Sequence, residues 1–227
     1  MSEKMALVTK NIKKSFWQGR NCLEVLRGIS VEFKQEETYA VTGVSGSGKS
    51  TFIHILGGLD KPTSGFVEIN KKDVFKIRRK NLFLNQTMGF VFQSHYLIKE
   101  LNVLENIMLM GMIKGEDRSF CRERAKDLLE MIGLHDKGYN YPGQLSGGEQ
   151  QRVSIVRAIF NKPKFLLADE PTGNLDEGYV NQIIELFLQA VREWRMGLIV
   201  CTHDKNVYQK MNFVLKLHEG ILEQKKN

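Results

Sequence analysis

One stretch limits what this 227-residue chain can become. It is Gly43-Val44-Ser45-Gly46-Ser47-Gly48-Lys49-Ser50-Thr51, of the form G-x-x-x-x-G-K-S. It follows Thr38-Tyr39-Ala40-Val41-Thr42, a run suited to a buried strand. It opens a segment whose Phe52, Ile53, Ile55 and Leu56 suit a helix. Strand, glycine-rich turn and helix, in that order, is the context that makes the pattern a phosphate-binding loop. Three glycines let the backbone curl so that successive N–H groups point into one cavity. The helix start adds its own unpaired N–H groups and the positive end of its dipole. In such a loop Lys49 reaches the β- and γ-phosphates of a nucleoside triphosphate, and the Ser50 hydroxyl holds Mg²⁺. The loop says that a nucleoside triphosphate is bound and not what for.

The length suits one α/β domain with room for a smaller inserted subdomain. At 42% hydrophobic and 26% charged residues, the composition is that of an ordinary soluble globular chain. The greasiest stretch, Leu101 to Ile113, is interrupted by Asn102, Glu105, Asn106 and Gly111, so no run spans a bilayer. Met1 to Lys14 lacks the apolar core of a signal peptide. Cys22, Cys121 and Cys201 are far apart, show no metal-ligand spacing and fit free thiols in a reducing cytosol. The net charge is +7, with basic residues gathered in Lys71 to Lys80 and in Gln224 to Asn227. Such clusters can face nucleic acid or an anionic membrane, and a solvated face is the simpler reading.

Residues 5 to 33 read as short strands joined by turns, alternating from Ile29 onward. With Phe66-Val67-Glu68-Ile69 they are expected to form a small antiparallel sheet beside the phosphate loop, from which Phe16 or Trp17 can stack on a base. Gly89-Phe90-Val91-Phe92-Gln93 reads as a strand ending in an amide. The pattern from 101 to 160 is mostly helical, with Ser119 as a cap, Gly133 as a stop, and a further helix from Glu149 to Phe160 before Pro163. Phe165-Leu166-Leu167-Ala168 is apolar without alternation, as a central parallel strand is, and it closes on Asp169-Glu170. An acidic pair there suits Mg²⁺ coordination and water activation. A helix with Val180, Ile183, Ile184, Phe187 and Val191 on one face follows. The strand Gly197 to Cys201 then delivers His203 to the same edge, and Phe213 to Leu222 reads as a hairpin.

Leu145-Ser146-Gly147-Gly148-Glu149-Gln150-Gln151-Arg152 separates this chain from other phosphate-loop proteins. It resembles the signature of ATP-binding-cassette (ABC) transporter ATPases, and the resemblance runs the whole chain in family order. The fold it implies is a P-loop NTPase: α/β, with a central, mostly parallel sheet, an antiparallel β-subdomain and an inserted helical subdomain at roughly 94–160, all within one domain, 1–227. It also implies roles. Phe16 stacks on adenine, and Gly43, Ser45, Gly46, Ser47, Gly48, Lys49, Ser50 and Thr51 hold the phosphates. Ser50, Gln93 and Asp169 hold Mg²⁺. Glu170 is the catalytic carboxylate, with Gln93 at the metal and His203 steadying the γ-phosphate. Ser146, Gly147 and Gly148, with Asp176 of Asn174-Leu175-Asp176, serve the nucleotide bound by a second copy. Small residues and free N–H groups at a helix start suit that second anion site. Two chains then sandwich two ATP molecules, and hydrolysis parts them.

The implied partners are an integral membrane permease subunit and, in the presence of ATP, a second copy of the chain, with no nucleic acid. The implied place is the cytoplasmic face of the inner membrane. Leu56 to Gly65, Ser94-His95-Tyr96-Leu97 through Leu104-Glu105-Asn106, and Ala168 to Asp176 are similar to a group serving lipoprotein release, macrolide and peptide export, and cell division. Lipoprotein release from the inner membrane leads. The other two stay open, as does a soluble cassette acting on nucleic acid. The segment from Gln93 to Ile113 is expected to be helical and to offer Tyr96, Leu97 and Leu101 to the membrane partner. Gln35-Glu36-Glu37 departs from the family's glycine-containing turn.

Overall fold

A computed structural model describes residues 4–173 and 177–224. In chain order the elements are β1 (Ala6–Gln18), β2 (Asn21–Lys34), β3 (Thr38–Thr42), α1 (Lys49–Leu56), β4 (Ser64–Ile69), β5 (Lys72–Asp73), α2 (Lys80–Thr87) and β6 (Met88–Val91). There follow α3 (Val103–Lys114), α4 (Arg118–Met131), α5 (Gly147–Ile159), β7 (Phe165–Asp169), α6 (Glu177–Trp194), β8 (Gly197–Cys201), α7 (Lys205–Tyr208), β9 (Phe213–His218) and β10 (Ile221–Gln224).

The strands form two sheets, ordered β2-β1-β4-β5 and β10-β9-β3-β8-β7-β6. The first is antiparallel throughout. In the second, β9, β3, β8, β7 and β6 run parallel and only β10 is antiparallel. The short strands expected before residue 34 are one long hairpin of 13- and 14-residue strands. Register shifts between Thr9 and Ile12 and between Lys14 and Ser15 interrupt the two-residue alternation that would have shown its length in the sequence.

β7 and β8 are buried along their whole length, as runs without alternation predict. Their side chains still point alternately to two faces. Leu166, Ala168 and Val200 join an apolar layer with α5 and α6 that includes Ile155, Phe160, Ile183 and Phe187. Phe165, Leu167 and Ile199 join a second layer between the two sheets, with Phe33, Phe52 and Ile53. Asp169 is on the same face of β7 as Phe165 and Leu167, the face turned toward α1. The strand's pleat therefore brings a carboxylate to the helix that carries Ser50.

The helical part differs from the sequence expectation in two places. Residues 92–102 are irregular and α3 starts only at Val103, where Asn102 and Glu105 form a capping box. The buried Asn106 side chain holds the irregular stretch, accepting from Ile98 N (2.8 Å) and donating to the carbonyls of Ile98, Leu101 and Asn102 (3.0 Å each). Tyr96 is accordingly exposed and Leu97 and Leu101 half-buried on a loop, not aligned on a helix. The cap of α4 is Asp117, which accepts from Ser119 N at 2.8 Å, so Ser119 lies inside the first turn. Gly133, at φ 66°, follows that helix as expected.

Glu36 takes the left-handed conformation (φ 69°) in the turn without glycine, braced by Arg195 and Lys4 at 2.7 and 3.0 Å. Part of the basic run is absorbed locally: Lys80 donates to Gly58 O (3.0 Å) and Lys76 pairs with Asp73 (3.2 Å). Among the described residues no helix is long and apolar enough to cross a membrane.

Candidate nucleotide-binding and hydrolysis site

Gly43, between β3 and α1, leaves no room for a side chain: a Cβ there would stand 2.4 Å from Leu217 O. Gly48, at φ 99°, caps α1 in a conformation that only glycine adopts easily. The resulting loop lines a cleft of about 640 Å³ with Gly43, Val44, Ser45, Gly46, Gly48, Lys49, Ser50 and Thr51. Val25, Gln93, Glu170 and His203 complete the wall. Ser47 turns inward, its hydroxyl buried and without a hydrogen-bond partner in the described structure.

Lys49 is nearly buried and donates to the carbonyls of Gly43 (3.0 Å) and Val44 (3.3 Å). Its ammonium is 3.5 Å from Glu170 Oε1. The Ser50 hydroxyl donates to Asp169 Oδ1 at 3.2 Å, and His54 Nε2 lies 3.8 Å from Oδ2 of the same carboxylate. Burial pushes the Asp169 carboxyl above its ordinary range, and Glu170 adds to this, while Ser50, His54 and Lys49 oppose it. Ionised, the Asp169 carboxylate beside the Ser50 hydroxyl offers hard oxygen donors of the kind Mg²⁺ takes, and a bound cation would oppose the effect of burial.

Glu170 has the left-handed backbone conformation (φ 44°), rare for such a residue and typical of functional sites. It is held there by Glu170 N donating to Cys201 O (2.8 Å) and Gly173 N donating to Glu170 O (3.2 Å). Its Oε2 is 3.0 Å from His203 Nδ1 and accepts from His203 N at 3.4 Å. One carboxylate thus faces the loop lysine on one side and an exposed imidazole on the other.

Phe16 does not line the cleft. It is exposed on β1, with the Lys14 ammonium 4.9 Å above its ring. Ser146, Gly147 and Gly148 also lie outside this cleft, at the start of α5, where Ser146 and Glu149 form a capping box. The first turn of that helix meets Tyr179 of α6 beside Gly148, and nothing stands within 4 Å of a Cβ at Gly147. Asp176, with Asn174 and Leu175, lies outside the described residues. Sequence reasoning missed His54 and Val25. His54 stands four residues after Ser50 on α1, a spacing that puts both on one helix face and could have pointed to it.

A phosphate-loop ATPase of the cassette type is what this sheet order, loop and acidic strand end define. The chain belongs to the ABC transporter family, whose profile matches residues 26–173, and it is an ATP-binding ATPase of that family. It is 46% identical over 213 residues to the lipoprotein-releasing system ATP-binding protein LolD of Syntrophus aciditrophicus, covering 93% of this chain and 96% of that one. It is 42% identical over 218 residues to LolD of Legionella pneumophila, covering 95% and 96%. Among solved structures, the dimeric, ADP- and Pi-bound post-hydrolysis cassette MJ0796 superposes with a TM-score of 0.90 at 35% identity, covering 97% of this chain and 98% of that one.

Proposed function

We propose that this chain is the ATP-hydrolysing subunit of a transporter that releases lipoproteins from the inner membrane. It is read as one cassette domain, with the helical subdomain at roughly 94–160, seated on the cytoplasmic face against an integral membrane permease. The observation that carries the hydrolytic reading is Glu170, held in a strained conformation between Lys49 at 3.5 Å and His203 at 3.0 Å. The strong likeness to LolD over nearly the whole chain supports the cargo.

Within this reading the phosphate loop binds ATP through its backbone N–H groups, Lys49 and Thr51. Ser50, Asp169 and Gln93 hold Mg²⁺, which supplies charge neutralisation at the phosphates. Glu170 accepts the proton of the attacking water and His203 orients the reacting end. Phe16 stacks on adenine once Lys14 gives up its ring. Ser146, Gly147 and Gly148, with Asp176, complete the site of a second copy, so that two ATP molecules join two chains.

The deciding experiment is reconstitution. The chain and its co-purifying membrane subunits are placed in proteoliposomes loaded with a lipoprotein, and ATP-dependent transfer to a soluble carrier is measured. Transfer that disappears with Glu170→Gln supports the reading. ATP turnover stimulated by a macrolide or peptide, without lipoprotein transfer, would replace the cargo and leave the ATPase.

A further inference from the structure

We propose that Arg157, on α5, is a positioning residue for the hydrolysis reaction, gripping the loop just beyond Gln93 and fixing where Gln93 stands in the cleft. The inference rests on the site reading above. The Arg157 guanidinium forks onto consecutive carbonyls, donating from Nη1 to Tyr96 O at 2.7 Å and from Nη2 to His95 O at 2.8 Å. A planar fork that satisfies two acceptors at once is what Arg offers and Lys does not.

This charge is half-buried, and burial alone lowers its pKa, with no carboxylate among the described residues offsetting it. The two carbonyls are therefore what compensates the cation. Tyr96, one of the residues gripped, is itself strained at φ 46°. Its ring packs edge-on against Phe92 at 5.1 Å, and Phe92 packs against Phe90 of β6 at 4.3 Å. The loop is closed on one side by rings and on the other by Arg157, and Gln93 lies between them.

Gln93 is exposed, lining the nucleotide cleft and also the neighbouring 430 Å³ cavity with His54, Phe92, Tyr96 and Asp169. No hydrogen bond among the described residues holds its side chain, so its position comes from the backbone of the loop. α5, which starts at the Ser146 cap, ends with this grip on the loop. One helix therefore joins the end that meets a second copy's nucleotide to the loop that carries Gln93.

The test uses the full chain, with Arg157→Gln and Arg157→Lys made alone and in a Gln93→Ala background. Steady-state Mg·ATP hydrolysis and hydrogen exchange of the peptides 43–56 and 93–101 are measured. Breaking the fork should speed exchange in 93–101 by at least about tenfold and leave 43–56 unchanged. It should lower kcat by about 10- to 10²-fold with KM within about twofold, Lys retaining part of the rate. In the Gln93→Ala background the Arg157 substitutions should cost nothing further. Parental kcat despite faster exchange, unchanged exchange, or an equal loss in the Gln93→Ala background would each overturn the proposal. If the Arg157 variants do not fold, Tyr96→Gly releases the loop from its other side and must show the same kcat loss; a parental kcat there overturns the proposal too. The reading it rests on fails differently: the parent would then hydrolyse no ATP, or Glu170→Gln would leave its rate intact.

Discussion

Lys49 and Glu170 face each other at 3.5 Å across the mouth of the cleft, their side chains only 8% and 12% exposed. A cation from the phosphate loop and a carboxylate from the end of β7 thus compensate each other in a largely dry place. In the proposed reading, a triphosphate entering the loop competes for Lys49 and leaves Glu170 free to meet a water. Replacing Lys49 by Ala removes charge-assisted hydrogen bonds to phosphate that contribute about 1.5–3 kcal/mol each. Lys49→Ala should therefore abolish tight ATP binding in a titration calorimeter. Parental affinity in that variant would remove the loop from the binding site.

Asp169 gives a prediction about stability. Its folded-state carboxyl is raised above the ordinary 3.8 by burial, so the folded chain holds the proton more tightly than the unfolded one. As pH rises through the carboxyl range the unfolded state loses its proton first, and the nucleotide-free protein loses stability. Asp169→Asn removes that cost. It should melt higher than the parent near neutral pH, while impairing Mg²⁺-dependent function. The difference should vanish as pH falls below the ordinary carboxylate pKa. Calorimetric melts across pH check this, and a variant that melts lower at neutral pH would show that Ser50, Lys49 and His54 outweigh burial.

The residues that carry backbone geometry in their own chemistry were the readable ones. Gly43 and Gly48 announce the loop because no side chain fits the first and φ 99° suits only glycine at the second. The unbroken apolar run of β7 announced a central parallel strand and put Asp169 and Glu170 at its end. What could not be read was set by contacts distant in sequence. Residues 92–102 carry enough apolar side chains to look helical, yet Asn106 and Arg157 hold their backbone open. The hairpin of β1 and β2 was hidden by its bulges. The contact of the Lys14 ammonium with the Phe16 ring is likewise an arrangement that no spacing rule contains.

Ser146 caps α5, accepting from Glu149 N at 3.3 Å, and is exposed. In the proposed reading the same helix start also receives a second copy's nucleotide. In a Glu170→Gln background with ATP the chain should sediment as a dimer, and without nucleotide as a monomer. Ser146→Arg should stay monomeric in both conditions, because bulk fills the anion site. Ser146→Ala should lose only the cap, about 1 kcal/mol of stability, and still dimerise. A dimer that forms equally without ATP, or with Arg at 146, would rule out the nucleotide sandwich.

The last prediction separates the two acidic neighbours at the end of β7. Asp169 turns toward α1 and meets the Ser50 hydroxyl at 3.2 Å, whereas Glu170 turns into the cleft and meets His203 at 3.0 Å. Their substitutions should therefore fail at different stages. Glu170→Gln keeps the shape and hydrogen-bonding reach of the side chain but cannot take a proton from water. Loss of a positioned general base lowers the rate by about 10²- to 10⁴-fold. ATP binding should persist, since Lys49 and the loop are untouched and Lys49 is freed from a competing carboxylate. Asp169→Asn leaves that base in place and instead weakens the oxygen set beside Ser50, so Mg²⁺-dependent retention of nucleotide should fall together with the rate. Single-turnover hydrolysis and filter retention of labelled ATP, with and without Mg²⁺, measured on both variants, distinguish the two. Near-parental turnover by Glu170→Gln would transfer the proton-accepting role to another group. His203 is then the candidate, because its Nδ1 is already within hydrogen-bond distance of the same carboxylate and lines the same cleft.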